Sequence, residues 1–301
     1  MKHTLPTFAR TLALITLAAC LLTGARSAHA AATIPDEYKV GGLAIGCQSY
    51  TFNRFSAFEA IEKTAAAGGR VIEFYPGQKL KPDDPKIKLD QDMSTELIAE
   101  LKEKLQKHQM MAVNFGVVGN FGRDEAAARK VFEFARKMGM PAITIEPDST
   151  EAALELTDKL IKEYDIKVAI HNHPKREKDP NYKLWDPNYV LSLVKNRDSR
   201  FGACADIGHF VRSGIKPIDA LKTLKGHVIS MHMKDLHEFK PGGHDAPFGT
   251  GVSDIPAVID ELKRQHFTGN ISIEYEYNWD HSVPDVAQSI GFVRGYTSGK
   301  H

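Results

Sequence analysis

Five consecutive apolar segments in the second half of the chain each end on a side chain that can bind a metal ion or transfer a proton. Segments 142–146, 168–171, 201–206, 227–232 and 271–274 finish on Glu146, His171, Asp206, His232 and Glu274. Carboxylates and imidazoles together suit a divalent ion such as Mn²⁺, Co²⁺, Mg²⁺ or Zn²⁺. One such residue alone is more often a loop cap, an ion-pair partner or a core histidine. Five in succession favour a site for one divalent metal ion.

The same residues could also move a proton. A metal bound to a carbonyl and a neighbouring hydroxyl stabilises the enediolate that forms when the α-proton leaves. The base that takes this proton must stand within about 3 Å of the C–H bond. Glu146, His171 and Glu274 are the candidates. Lys234 lies on the inward face of its segment, so it could neutralise the developing oxyanion or simply pair with Asp235 or another acid.

These side chains can meet only if the segments are parallel strands of one sheet. Short apolar runs alternate with helical patterns eight times between residues 41 and 296, as expected of repeated βα units. The carboxyl ends of eight such strands converge on one rim, where active sites of (β/α)8 barrels form. An open doubly wound sheet fits less well because the chain has no glycine-rich dinucleotide fingerprint. We therefore predict a single α/β domain over residues 31–301, a (β/α)8 TIM barrel.

The individual elements follow from the apolar periodicity. Strands are predicted at 43–47, 71–74, 111–115, 142–146, 168–171, 201–206, 227–232 and 271–274. Helices are predicted at 56–67, 95–108, 124–138, 150–164, 187–195, 217–224, 254–265 and 283–296. Their ends carry ordinary stop and start signals, such as Asp124 before the third helix and Gly139 after it.

Residues 1–30 are predicted to be a signal peptide rather than part of the fold. Lys2 and Arg10 make the start positive, residues 11–22 are apolar but too short to span a bilayer, and residues 28–30 read Ala-His-Ala. Cys20 ends a Leu-Ala-Ala-Cys sequence of the lipobox type, so a lipoprotein anchored through Cys20 is the alternative. Both interpretations predict an exported protein, periplasmic or secreted.

Charge and composition indicate which classes of binding partner the protein can have. The net charge is +1, from 39 basic and 38 acidic side chains, which gives no electrostatic footprint for nucleic acid. No apolar run after residue 30 is long enough for a transmembrane segment. Cys47 and Cys204 lie in apolar runs and are predicted to be buried thiols, with a disulfide between them as the alternative. We expect a small-molecule carbohydrate partner and leave a homo-oligomer open.

Three motifs resemble the xylose-isomerase-like barrel superfamily, which holds sugar isomerases and epimerases, inosose dehydratases and relatives of the apurinic endonucleases. They read Ala-Asp-Ile-Gly-His-Phe at 205–210, His-Met-Lys-Asp at 232–235 and Ile-Ser-Ile-Glu at 271–274. The resemblance implies one divalent metal on a strand-five Glu, a strand-six Asp, a strand-seven His and a strand-eight Glu. Asp206, His232 and Glu274 match these positions. It also implies that His209 contacts a substrate hydroxyl.

Strand five departs from that pattern. Relatives commonly read Glu-Asn-His, whereas this chain reads His171-Asn172-His173. We predict that Glu146 supplies the missing ligand, with His171 as a ligand or proton-transfer group and His173 in contact with substrate. The alternative is that His171 itself replaces the glutamate. Glu276 shares the face of the strand-eight glutamate and could support or replace it.

The resemblance implies an isomerase or epimerase that works through an enediolate. If a leaving group stands β to the carbonyl, the same intermediate expels it, and exported relatives that cleave 3-keto-glycosides make a lyase the alternative. Trp185, like Tyr182, Trp279 and Tyr50, follows a strand end and could stack on a sugar, although core packing explains any one of them. The long segment 236–253 is either a lid over the site or a plain flexible turn. A non-catalytic sugar-binding module is a further alternative, and a nuclease fits poorly with the neutral charge.

Overall fold

A computed structural model of the chain describes Met1 and residues 33–299. Apart from Met1, the predicted signal peptide and the lipidation site at Cys20 lie outside the described residues. Within the part of the chain that the structure describes, no helix is both long and apolar enough to cross a membrane.

Eight parallel strands form a closed barrel, which confirms the predicted fold. In chain order each strand pairs with the next, and β8 pairs with β1 through partners such as Ile271 and Ile45. The strands are β1 (Ala44–Gln48), β2 (Val71–Phe74), β3 (Met111–Phe121), β4 (Ala142–Pro147), β5 (Lys167–His171), β6 (Phe201–Asp206), β7 (Val228–Met233) and β8 (Asn270–Ile273).

Helices connect the strands around the outside of the barrel. They are α1 (Ala57–Ala66), α2 (Thr95–Lys107), α3 (Glu125–Met138), α4 (Glu151–Tyr164), α5 (Pro187–Val194), α6 (Ile207–Arg212), α7 (Pro217–Thr223), α8 (Ile255–Arg264) and α9 (Val283–Ser298). Short 3₁₀ helices cover Asp36–Tyr38 and Ser49–Phe52. Two small antiparallel pairs lie outside the barrel, Gln78–Lys79 with Lys88–Leu89 and Asp235–Leu236 with Asp245–Ala246.

Local sequence signals set the helix ends. Ser56 and Glu59 form a reciprocal capping box at the start of α1. The Asp124 side chain accepts a hydrogen bond from the Ala127 backbone N–H at 2.6 Å at the start of α3. Gly139 ends α3 with φ of 79°, a conformation that glycine adopts without steric cost.

The core lies inside the barrel and between its strands and helices. Large side chains such as Phe115 and Phe134 are fully buried and pack edge to face, with ring centroids 4.8 Å apart. Cys47 and Cys204 are buried and unpaired, which confirms that they are core thiols. Several strands also carry fully or almost fully buried polar residues, namely Glu73, Asn114, Thr144, Ser230 and Ser272.

Candidate metal centre and active-site pocket

The carboxyl ends of β5 to β8 bring four metal-capable side chains together. His171 ends β5, Asp206 ends β6, His232 is the penultimate residue of β7, and Glu274 directly follows β8. One potential ligand atom from each lies within 4.8 Å of those from the other three. All four side chains are buried. Residues far apart in the chain therefore form one compact donor set, which we call the buried quartet.

The buried quartet is short of hydrogen-bond partners. Both ring nitrogens of His171, both of His232, and Oδ2 of Asp206 make no well-aligned hydrogen bond among the described residues, although charged groups lie close to them. Buried polar atoms are nearly always paired, so this concentration at one place needs a cause. His171 Nε2 lies 3.7 Å from Asp206 Oδ2, and His232 Nδ1 lies 3.3 Å from Glu274 Oε2. Two imidazoles and two carboxylates in this state fit a divalent cation, which they could bind.

Glu146 lies in a neighbouring group rather than in the buried quartet. Its Oε1 accepts a hydrogen bond from the Tyr182 hydroxyl at 2.8 Å and lies 2.5 Å from Nδ1 of His173. Glu146, His171 and His173 form a second set of side chains close enough to share an ion. His171 belongs to both sets, whereas Glu146 is not part of the buried quartet. The geometry therefore favours the alternative in which His171 replaces the strand-five glutamate.

The contact between Glu146 and His173 keeps Glu146 charged and orients the His173 ring. Burial by itself would raise the pKa of Glu146, but the hydrogen bond and charge of His173, helped by His171 and Tyr182, lower it to about 2. Glu146 therefore remains a carboxylate that holds the Nδ1 side of His173. The other ring nitrogen, Nε2, is left for a ligand in the pocket that His173 lines.

Lys234 brings a buried positive charge to the carboxylates of the site. Its Nζ lies 2.7 Å from Glu274 Oε2, 2.6 Å from Glu276 Oε2 and 3.3 Å from Asp206 Oδ2. Burial by itself would lower the pKa of Lys234, but these carboxylates raise it well above its usual value. The side chain is thus an ammonium group, and it pairs with site carboxylates rather than with Asp235.

Asp235 instead fastens the segment that follows β7. Its carboxylate accepts hydrogen bonds from the backbone N–H groups of Gly249, Gly251 and Ser253, at 2.9, 2.9 and 3.0 Å. These hydrogen bonds hold segment 236–253 close to the end of β7. The short antiparallel pair of Asp235–Leu236 with Asp245–Ala246 holds it as well.

Arg212 ties the same segment to the active site. Its guanidinium donates to the Gly243 carbonyl and to Asp245 Oδ2, both at 3.0 Å. It also lies 3.2 Å from Nδ1 of His209 and 3.4 Å from Oε2 of Glu276. Arg212 thus links the segment to two side chains of the pocket.

A pocket of about 300 Å³ opens above the buried quartet. His209 lines it, with its ring stacked on His173 at 5.2 Å and its Nε2 3.5 Å from Asp206 Oδ2. Tyr50 forms an aromatic wall, and its ring packs edge-on against Trp279 at 5.9 Å. The lining residues are Gln48, Tyr50, Tyr75, Pro76, Val117, His171, His173, His209, Glu274 and Glu276. Trp185, the predicted sugar contact, lines a neighbouring groove instead.

Glu73 is a site residue that the sequence analysis missed. It is fully buried on β2, and its Oε1 lies 3.1 Å from Nε2 of His232. Its Oε2 accepts a hydrogen bond from the Ser272 hydroxyl at 2.7 Å. A carboxylate beside the far nitrogen of a metal-binding imidazole fixes the ring and makes it a better ligand. Glu73 therefore positions His232, leaving its Nδ1 toward Glu274.

Replacing Glu73 by Gln is expected to weaken metal binding about 10- to 100-fold, the usual effect of losing such a supporting carboxylate. Competition with a chromophoric chelator would measure the change, and thermal unfolding of the metal-free proteins would check that both fold. Unchanged metal affinity in a folded Glu73→Gln protein would show that Glu73 does not support a metal ligand.

Comparison with known proteins places the chain in a family. Residues 61–296 match the family described as xylose isomerase-like TIM barrel. The chain belongs to that family. A solved structure of an uncharacterized protein from Parabacteroides distasonis ATCC 8503 is 33% identical, with a TM-score of 0.66 over 83% of this chain and 98% of that one. Membership confirms the resemblance inferred from the three sequence motifs.

Two other similar proteins have named activities. Inosose dehydratase from Clostridium tetani (strain Massachusetts / E88) is 27% identical over 169 residues, which cover 46% of this chain and 53% of the relative. The match therefore spans only about half the length of that curated relative. The structure of D-allulose 3-epimerase from Methylomonas sp. in complex with D-allulose has a TM-score of 0.64 at 14% identity, over 89% of this chain and all of that one. At that identity the likeness shows the fold alone.

Proposed function

We propose that this xylose isomerase-like protein is a metal-dependent carbohydrate isomerase or epimerase that removes a proton next to a carbonyl. The observation that supports the proposal is the buried quartet, two of whose members, His171 and Glu274, line a pocket that also contains His173, His209 and Glu276. The relative named inosose dehydratase, 27% identical over about half of its length, supports a carbohydrate-like substrate. A non-catalytic sugar-binding module would leave such a donor set without a purpose.

His171, Asp206, His232 and Glu274 would hold the ion. When bound there, a divalent metal supplies Lewis acidity that polarises a substrate carbonyl and favours loss of the neighbouring proton. The protein has to orient the sugar so that this C–H bond faces a base. His209 and Gln48 line the pocket and can hydrogen-bond sugar hydroxyls, while Tyr50 and Tyr75 offer ring edges and faces for its apolar side.

The Glu146–His173 pair is the first candidate for proton transfer. Glu146 holds Nδ1 of His173, so that Nε2 can accept a proton from a substrate in the pocket and return it. Glu274 is the second candidate, because it also lines the pocket. Lys234 contacts Glu274 and Asp206 and offsets their negative charge, which limits repulsion of an anionic intermediate. Proton return to the opposite face would give an epimer, and proton return to the neighbouring carbon would give an isomer.

A 3-keto-glycoside lyase is the second candidate, and the altered strand five favours it. The resemblance implies Glu and His at the positions of His171 and His173, and Glu146 with Tyr182 builds a hydrogen-bonded relay around His173. In an elimination, Nε2 of His173 would take the proton from the carbon next to the ketone, a C=C bond would form, and the β C–O bond would break. The departing oxygen would then take that proton back from the protonated His173.

Incubation in D₂O with Mn²⁺ would test both functions. Free ketoses and a 3-keto-glycoside would be supplied in parallel, and the products followed by NMR. An epimerase or isomerase is expected to place deuterium on the carbon next to the carbonyl, whereas a lyase would release the leaving alcohol and an unsaturated ketone. If no substrate exchanges a proton or eliminates, with or without Mn²⁺, Co²⁺, Mg²⁺ or Zn²⁺, proton abstraction is not the activity of this site.

A further inference from the structure

The segment between β5 and α5 forms a second groove next to the active-site pocket. The groove has a volume of about 510 Å³, a size typical of small-molecule sites. Three half-buried aromatic rings and three exposed cations share its lining, together with smaller polar residues. The rings are Tyr182, Trp185 and Tyr189, and the cations are Lys175, Arg176 and Lys183.

Tyr182 is the boundary between this groove and the active-site pocket. Its hydroxyl donates to Glu146 Oε1 at 2.8 Å and accepts from the His173 backbone N–H at 2.9 Å. The other end of the same side chain lines the groove, where the Arg176 guanidinium lies 3.7 Å from the ring centroid. Because the His173 ring lines the active-site pocket, the two cavities adjoin at His173 and Tyr182.

The lining of the groove suits a flat ring that carries polar substituents. Tyrosine and tryptophan faces stack on the C–H face of a sugar or on an aryl ring. The Lys175 ammonium lies 5.0 Å from the Trp185 ring centroid, and the Lys183 ammonium lies 5.9 Å from that of Tyr189. These cations lie over the rings and can hydrogen-bond hydroxyl or acidic groups of a ring that binds in the groove.

We propose that this groove binds the second ring of a two-ring substrate. One sugar ring would occupy the active-site pocket, and a glycosidic oxygen near His173 would join it to a sugar or aryl ring in the groove. The proposal rests on the proposed function in that it places a sugar ring above the buried quartet. It goes beyond that function because a free monosaccharide would leave the aromatic lining of the groove unused.

The two tryptophans of the chain report separately on the two cavities. Trp185 lines the groove, and Trp279 packs against Tyr50 at the rim of the pocket. The full-length Trp279→Phe protein would therefore have Trp185 as its single tryptophan, and the Trp185→Phe protein would have Trp279, so excitation selective for tryptophan reports on one cavity at a time. Each would be titrated with D-glucose, with cellobiose, whose second ring is a sugar, and with phenyl β-D-glucoside, whose second ring is aromatic.

We expect a saturable change in Trp185 emission with at least one of the two-ring probes and none with D-glucose. Whether cellobiose or the phenyl glucoside gives the change identifies the second ring as sugar or aryl. Replacing Tyr189 by Ala is expected to lower the affinity for that probe about three- to tenfold, the usual effect of losing one stacking ring. Lys102→Ala, in a groove at the opposite end of the barrel, is the matched control.

Two results would overturn the proposal: Trp185 emission that no two-ring probe changes, or a change that D-glucose produces equally. Failure of the proposed function would look different. If Asp206→Asn does not alter metal binding or turnover, the metal-dependent chemistry is at fault, while a Trp185 response to the two-ring probe would still identify the groove as a ring-binding site.

Discussion

Replacing Asp206 by Asn is expected to remove the bound metal and to lower kcat/KM about a thousandfold or more, because a metal that polarises a carbonyl contributes several kcal/mol to the transition state. Asp206 is fully buried, and its Oδ2 has no hydrogen-bond partner among the described residues. Its Oδ1 accepts from the His209 backbone N–H at 2.8 Å and so caps α6. Asparagine can keep that cap while it loses the charge, so the variant should stay folded.

Elemental analysis and steady-state kinetics on the true substrate would measure this effect. Asp219→Ala removes an exposed carboxylate from the first turn of α7 and serves as the control for a change of charge. One equivalent of metal and full activity in Asp206→Asn would mean that the ion, if it acts, is bound elsewhere.

Replacing Lys234 by Met is expected to make the stability of the protein depend on metal. Without the ammonium, the carboxylates of Asp206 and Glu274 lose the cation that neutralises them, and Glu276 keeps only its contact with Arg212 at 3.4 Å. Breaking a buried ion pair from one side usually costs about 3–5 kcal/mol, because the remaining charge stays buried. In the presence of EDTA the free energy of unfolding should fall by about that amount, and saturating Mn²⁺ should restore much of it.

Urea unfolding with EDTA and with Mn²⁺ would compare this variant with wild-type protein. In wild-type protein Lys234 already neutralises the carboxylates, so removing metal should cost less stability than in Lys234→Met. The exposed Lys222, in the last turn of α7, provides a matched Lys→Met control. Equal sensitivity of Lys234→Met and wild-type protein to EDTA would contradict the idea that ammonium and metal act on the same carboxylates.

The barrel was predictable because apolar periodicity depends on short stretches of sequence. Predicted and observed strands agree within two residues, except that β3 continues to Phe121. The sequence analysis did not predict helix α6. Asp206 both ends β6 and caps the helix that begins at the next residue, so no loop residues separate the two elements in the sequence. Asp206 therefore combines a predicted role at the strand end with an unpredicted one in backbone capping.

The supporting contacts of the site were not predictable, because they join residues far apart in the chain. Glu73 meets Ser272 across 199 positions, and nothing in the segment Val71–Phe74 points to that partner. Whether Glu146 or His171 is the fourth candidate metal ligand likewise depends on side-chain distances. Tyr182, from the segment after β5, engages Glu146 beside His173, while His171 lies closer to the other three strand-end side chains.

A crystal structure of the protein soaked with Mn²⁺, with anomalous differences recorded at the manganese edge, would test the central claim most directly. We predict one strong peak bonded to His171, Asp206, His232 and Glu274, with Glu146 still paired to His173. A peak bonded to Glu146 in place of His171, or Mn²⁺ bound only away from these four side chains, would contradict the account.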